Sequence, residues 1–153
     1  MESHPGVERF NRTAAFIFTN LYEAFPDPVD LSDESIAAAA LPEGADSEDK
    51  LAYEKSALHV VAWLAAEGLL RYERQVYGAY IGVTLSMKAL TILGFTPDVL
   101  RAAPEPFIDR LKSALGKGAT DAASSGIKQV LGGIFDLALR YGQSTASTGI
   151  LVA

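Results

Sequence analysis

The sequence predicts a mainly α protein with a small β-hairpin, followed by a long C-terminal amphipathic helix or two. Three observations carry this. Residues 7–25 repeat apolar side chains at spacings of three and four. The stretch from Ser47 to Gly94 reads as a helix, two short strands and a second helix. From Phe107 the three-to-four repeat returns and runs on to Ala138.

Size and composition bound the architecture. At 153 residues with 49% hydrophobic content, the chain suits one compact domain with an appendage and is too apolar for disorder. The expected division is a body over residues 1–100, a helical extension over 101–141 that packs on the body or on a second copy, and a flexible tail over 142–153. The absence of cysteine excludes disulfides, thiolate zinc sites and cysteine nucleophiles, and fits a reducing cytoplasm. The start, Met1 to Gly6, lacks the basic and apolar regions of a signal peptide. No stretch reaches the roughly 20 apolar residues that span a bilayer, so no integral membrane segment is expected. The net charge of −6 is uneven: residues 1–50 hold eleven acids and three bases, residues 51–100 are balanced, and residues 101–153 carry a small positive excess. Such a balance argues against strong nonspecific binding to nucleic acid.

In the first helix, Phe10, Ala14, Ile17, Leu21 and Phe25 form a stripe that Phe18 widens, so burial on more than one side is expected. Pro26 and Pro28 end it. Asp30 to Leu41 reads as a short helix capped by Ser32, with Asp33 and Glu34 in its first turn. Pro42-Glu43-Gly44 breaks the chain. Ser47 is placed to cap the next helix. There Leu51, Leu58, Val61, Ala62 and Ala65 share one face, opposite Ala52, Ser56, His59 and Trp63. Gly68 is placed as a left-handed cap. Strands are expected over Leu70–Gln75 and Val76–Leu85, with Ile81, Val83 and Leu85 inward and the turn between Arg74 and Ala79, where Gly78 tolerates positive φ. Ser86 caps a helix from Met87 to Leu93, with Leu90 and Leu93 inward; Gly94 and Pro97 stop it.

Arg101 to Glu105 is a proline-marked joint. Beyond it Leu111, Leu115, Ile127, Leu131 and Phe135 lie on the apolar stripe and are the expected packing or dimer residues. The helix is either continuous or divided near Gly116-Lys117-Gly118. Five glycines weaken it, each by about 0.5–1 kcal/mol against alanine, so its apolar face must be covered.

Leu64 to Tyr72, LAAEGLLRY, resembles the end of a winged-helix recognition helix entering its wing. Val83 to Leu90, VTLSMKAL, resembles the end of the wing in MarR-like and PadR-like transcriptional regulators. The likeness covers roughly residues 7–95. It implies a DNA-binding regulator that acts as a dimer, with Tyr53, Lys55, Ser56 and His59 in the major groove and Arg71 and Arg74 on phosphates. Several residues depart from that pattern. Ala89 stands where glycine is usual, the helix begins with the acids Asp46, Glu48 and Asp49, the loop from Leu41 to Asp46 is long, and the wing lacks a run of arginines. A second reading therefore stands beside the first: a winged-helix-like interaction or assembly module that has lost DNA binding. The implied partners are double-stranded DNA and a second copy in one case, a protein in the other.

No histidine lies at a metal-ligand spacing from another, the acids near Asp27 to Glu34 are explained by capping and solvation, and the glycines near 116–133 follow no strand. No enzyme activity, metal or cofactor is expected.

Overall fold

A computed structural model describes residues 4–94, 105–118 and 120–152, with residues 141–152 described by their backbone alone. The expected class is the class found: mainly helical, with one small antiparallel sheet. The chain runs α1 (Pro5–Ala24), β1 (Val29–Ser32), α2 (Asp33–Ala40), α3 (Ser47–Ala66), β2 (Leu70–Arg71), β3 (Arg74–Val76), β4 (Ala79–Leu85), α4 (Met87–Leu93), α5 (Phe107–Leu115) and α6 (Asp121–Val152). Pro97 and the joint from Arg101 to Pro104 lie outside the described residues.

α1 is the buried axis. Ala14, Ala15, Ile17, Phe18 and Leu21 are almost wholly inaccessible, so the broad stripe is covered on several sides, as expected. Phe25 is the exception. It falls one residue past the helix, in its C-cap, and is 41% exposed.

The segment after α1 departs from expectation. Val29 to Ser32 is a strand, β1, and the helix begins only at Asp33. The cap was legible: Ser32 Oγ accepts from Ser35 N at 3.1 Å, and Ser35 Oγ accepts from Ser32 N at 3.2 Å, closing a reciprocal box. The strand exists because β4 supplies its edge, pairing Val29 with Val83 and Leu31 with Tyr80. Two steps on β1 thus match three on β4, a bulge at Gly82, whose φ is +69°. Asp30 Oδ1 accepts from Gly82 N at 3.0 Å and holds the bulge.

The bulge corrects the expected strand phase. Tyr80, Val83 and Leu85 point into the core, and Ile81 is only half-buried. β4 lies between β1 on one edge and β2 and β3 in succession on the other. β3 and β4 join through a two-residue turn, Tyr77-Gly78, with Gly78 at φ +79°. The hairpin is short, as expected. Gly68 takes φ +79° as the cap after α3, and Ser86 Oγ accepts from Ala89 N at 3.1 Å to start α4. In α4, Leu93 is buried as expected and Leu90 only partly, while Ala89 and Ile92 complete the inner face.

The C-terminal repeat divides into two helices, α5 ending at Leu115 and α6 starting at Asp121, and Gly118 after α5 turns at φ +76°. α5 and α6 then fold against each other. A Cβ on Gly126 would stand 3.3 Å from Ala114 Cβ, and one on Gly133 would stand 3.0 Å from the Phe107 ring. The two contacts fix an antiparallel hairpin in which glycine on α6 admits α5 at close range. Leu111, Ile127, Leu131 and Ile134 are buried in the same core as α1 and α4. The backbone of α6 remains helical to Val152, across the stretch expected as a loose tail.

Candidate interaction face

α3 is started by a reciprocal cap one residue before the expected one: Asp46 Oδ1 accepts from Asp49 N at 2.9 Å, and Asp49 Oδ2 accepts from Asp46 N at 3.3 Å. The acids at this end also meet the positive end of the helix dipole. The inward side is Tyr53, Ala57, Val60, Val61 and Leu64, a run at spacings of three and four. The face grouped in the sequence around Leu58 divides: Val61 is buried, Leu58 and Ala65 are half-buried, and Leu51 and Ala62 are exposed. Apolar residues surround most of α3, so spacing alone did not single out the core side; α1 and α2, packed against Tyr53 and Ala57, decide it.

The outer side therefore presents Glu48, Leu51, Lys55, His59, Ala62 and Ala66 to solvent, successive turns of one stripe. Leu51 is 51% exposed. Trp63 flanks the stripe. Its ring meets Phe10 edge-on at 5.1 Å and Phe135 at 5.7 Å, yet 46% of the residue stays accessible. The C-terminal helix thus props Trp63 without covering it. Two shallow grooves border the helix. One, of about 400 Å³, lies towards α1 between Phe10 and His59. The other, of about 480 Å³, lies towards the hairpin and is lined by Ala62, Ala65, Ala66, Leu70, Arg71 and Tyr72.

The hairpin adds Tyr72, which meets Tyr80 edge-on at 4.7 Å, and Tyr77 at the tip, fully exposed. Gly78 O accepts from Asp33 N at 3.1 Å, tying the tip to the start of α2.

The residues expected to read DNA are dispersed. Tyr53 is buried beside Ala37 and Ala40, and that burial raises its pKa above the usual tyrosine value. Ser56 Oγ accepts from Arg9 Nε at 3.0 Å. Lys55, His59, Arg71 and Arg74 are exposed, and only Lys55 and His59 of the α3 set face outward together. Of the expected packing residues, Leu111, Ile127 and Leu131 are buried within the chain, while Leu115 and Phe135 are half-buried against the same core. Sequence reasoning missed Leu51 as a surface residue. A signal was present: it sits just past the first turn, between Asp49-Lys50 and Glu54, amid charges that avoid a core.

Among the described residues no group of three or more His, Asp or Glu is placed to hold a metal ion, and no helix is long and apolar enough to cross a membrane. In comparison with known proteins, no family, no curated protein and no solved structure matches this chain.

Proposed function

We propose that this chain is a winged-helix-type protein-interaction module whose contact surface is the outer side of α3 together with the wing. The observation that carries this is the character of that side. A helix that enters a DNA groove needs donors and positive charge along its outer stripe. Here Lys55 and His59 share the stripe with the apolar Leu51, Ala62 and Ala66, and Glu48 stands beside the end that would meet phosphates. Exposed leucine and tryptophan rimmed by charge suit a protein surface. The cysteine-free sequence suits a cytoplasmic location.

A specific feature favours a second reading, a DNA-binding transcriptional regulator acting as a dimer. Arg71 and Arg74 are exposed on the wing and have no ion-pair partner among the described residues. Titration of the full chain against random duplex DNA at low salt separates the two, because the electrostatic part of binding is strongest there. The interaction reading expects no binding. Micromolar binding that weakens steeply with salt and is lost on Arg71→Glu would overturn it in favour of the regulator.

A further inference from the structure

The outer side of α3 has unlike ends. Near its start, Leu51 projects from the surface with Glu48 one turn before it. Near its close lies the opposite shape and charge: a groove lined by Ala62, Ala65, Ala66, Leu70 and Tyr72, together with Arg71. Small side chains leave room there for a larger apolar one. Neither Glu48 nor Arg71 has an ion-pair partner among the described residues.

We propose that this side of α3 pairs with the same side of a second copy of the chain, antiparallel about a two-fold axis. Each Leu51 then sits in the Ala62–Tyr72 groove of the other copy. The inference rests on reading α3 and the wing as a protein-contact surface and names the partner.

The two-fold follows from the geometry. Leu51 and Ala66 are fifteen positions apart on a continuous helix, about 22 Å along its axis. Turning a second helix end for end places its groove under Leu51 and its Leu51 over the first groove. Both contacts form at once, as a self-complementary interface requires. Glu48, one turn nearer the start of α3, then comes level with Arg71 of the other copy, and this pairing also occurs twice. A parallel arrangement would set acid against acid and leave both grooves empty. At the centre, Lys55 lies over Leu58 and His59 of the other copy, its aliphatic stem on the surface and its amine free to reach solvent. The expected dimer residues of the C-terminal stripe take no part, because Leu111, Ile127 and Leu131 are consumed by the chain's own core.

Sedimentation equilibrium of the full chain tests the pairing. The expected mass is twice 16.3 kDa at micromolar concentration. Leu51→Glu removes both seated side chains and should raise the dissociation constant about 100-fold or more. Glu48→Arg alone and Arg71→Glu alone should each weaken it about 10-fold or more, by setting like charges together twice. Mixed in equal amounts, these two variants should recover the original affinity as a heterodimer, since both contacts are then complementary. All three positions are exposed, and an unchanged circular dichroism spectrum checks that each variant folds. A chain that stays at 16.3 kDa up to millimolar concentration overturns the proposal. So does a mixture that pairs no better than its components. A photo-crosslinking residue at Ala66 separates this failure from that of the broader reading. In cells, an adduct at twice the chain mass that disappears on Leu51→Glu supports self-pairing. An adduct of another mass refutes self-pairing but keeps the interaction surface, and no adduct refutes both.

Discussion

Gly132→Ala and Gly133→Ala, one residue apart on α6, should change stability in opposite directions. Both replace glycine inside a helix, and each gains about 0.8–1 kcal/mol from the lost backbone freedom of the unfolded chain. At Gly132 nothing lies within 4 Å of the added methyl, and the position is exposed. The full gain of about 0.8–1 kcal/mol should appear. At Gly133 the methyl stands 3.0 Å from Cε1 and Cζ of Phe107, a ring only 6% exposed and hemmed in by the core. Overpacking of this kind costs about 1–3 kcal/mol, so the net change runs from near zero to a loss of about 2 kcal/mol. Urea unfolding followed by circular dichroism and by the fluorescence of the single tryptophan, Trp63, measures both, with an unchanged slope certifying that only stability moved. A double-mutant cycle with Phe107→Leu adds the control: coupling of about 1 kcal/mol or more to Gly133→Ala and none to Gly132→Ala. If Gly133→Ala stabilises as much as its neighbour, α5 does not lie against α6 at Phe107 and the hairpin register given above is wrong.

Two further outcomes follow from the core. Arg12, 6% exposed, donates through Nε to Ala40 O and through Nη1 to Gly118 O, both at 3.1 Å, joining α1 to the end of α2 and to the turn before α6. Arg12→Met should destabilise by about 1–3 kcal/mol, since two carbonyls lose their donors; a melting temperature within a degree of the parent would contradict this. Burial raises the pKa of both Tyr53 and Tyr80 above the ordinary tyrosine value of 10.0, and in Tyr80 the neighbouring Tyr72 adds to the effect. Raised folded values mean that the unfolded chain releases these protons first, so stability is full below pH 10.0 and falls as pH rises through the folded values. Melting temperature should therefore drop above pH 10.0, and Tyr53→Phe should flatten that drop; a stability flat through this window would refute the assigned burial.

Legibility in the sequence tracked the range of the interaction involved. Ser32, Ser86, Gly68 and Gly78 were read correctly because a cap or a positive φ is decided within three or four residues. The stripes of α1 and of the C-terminal region were legible because their apolar residues are confined to faces. α3 was not, since Leu51, Ala62 and Trp63 are as apolar as the side that is buried. The candidate contact surface was therefore half read: Lys55 and His59 were singled out through the resemblance, and Leu51 was grouped with Leu58 and Val61, which pack on the core.

What the sequence by itself determined is that the whole is mainly helical with a short hairpin, and where the caps at Ser32 and Ser86 and the turns at Gly68 and Gly78 fall, because hydrogen-bonding side chains and glycine act on their own backbone. Only the tertiary structure decided that Val29 to Ser32 is a strand, that Gly82 bulges and turns Tyr80 inward, and that glycines which weaken α6 serve to admit α5. It also decided which side of α3 meets solvent. Each of these depends on a partner more than twenty residues away or on another helix, and a chain's local pattern carries no record of which neighbour will cover it.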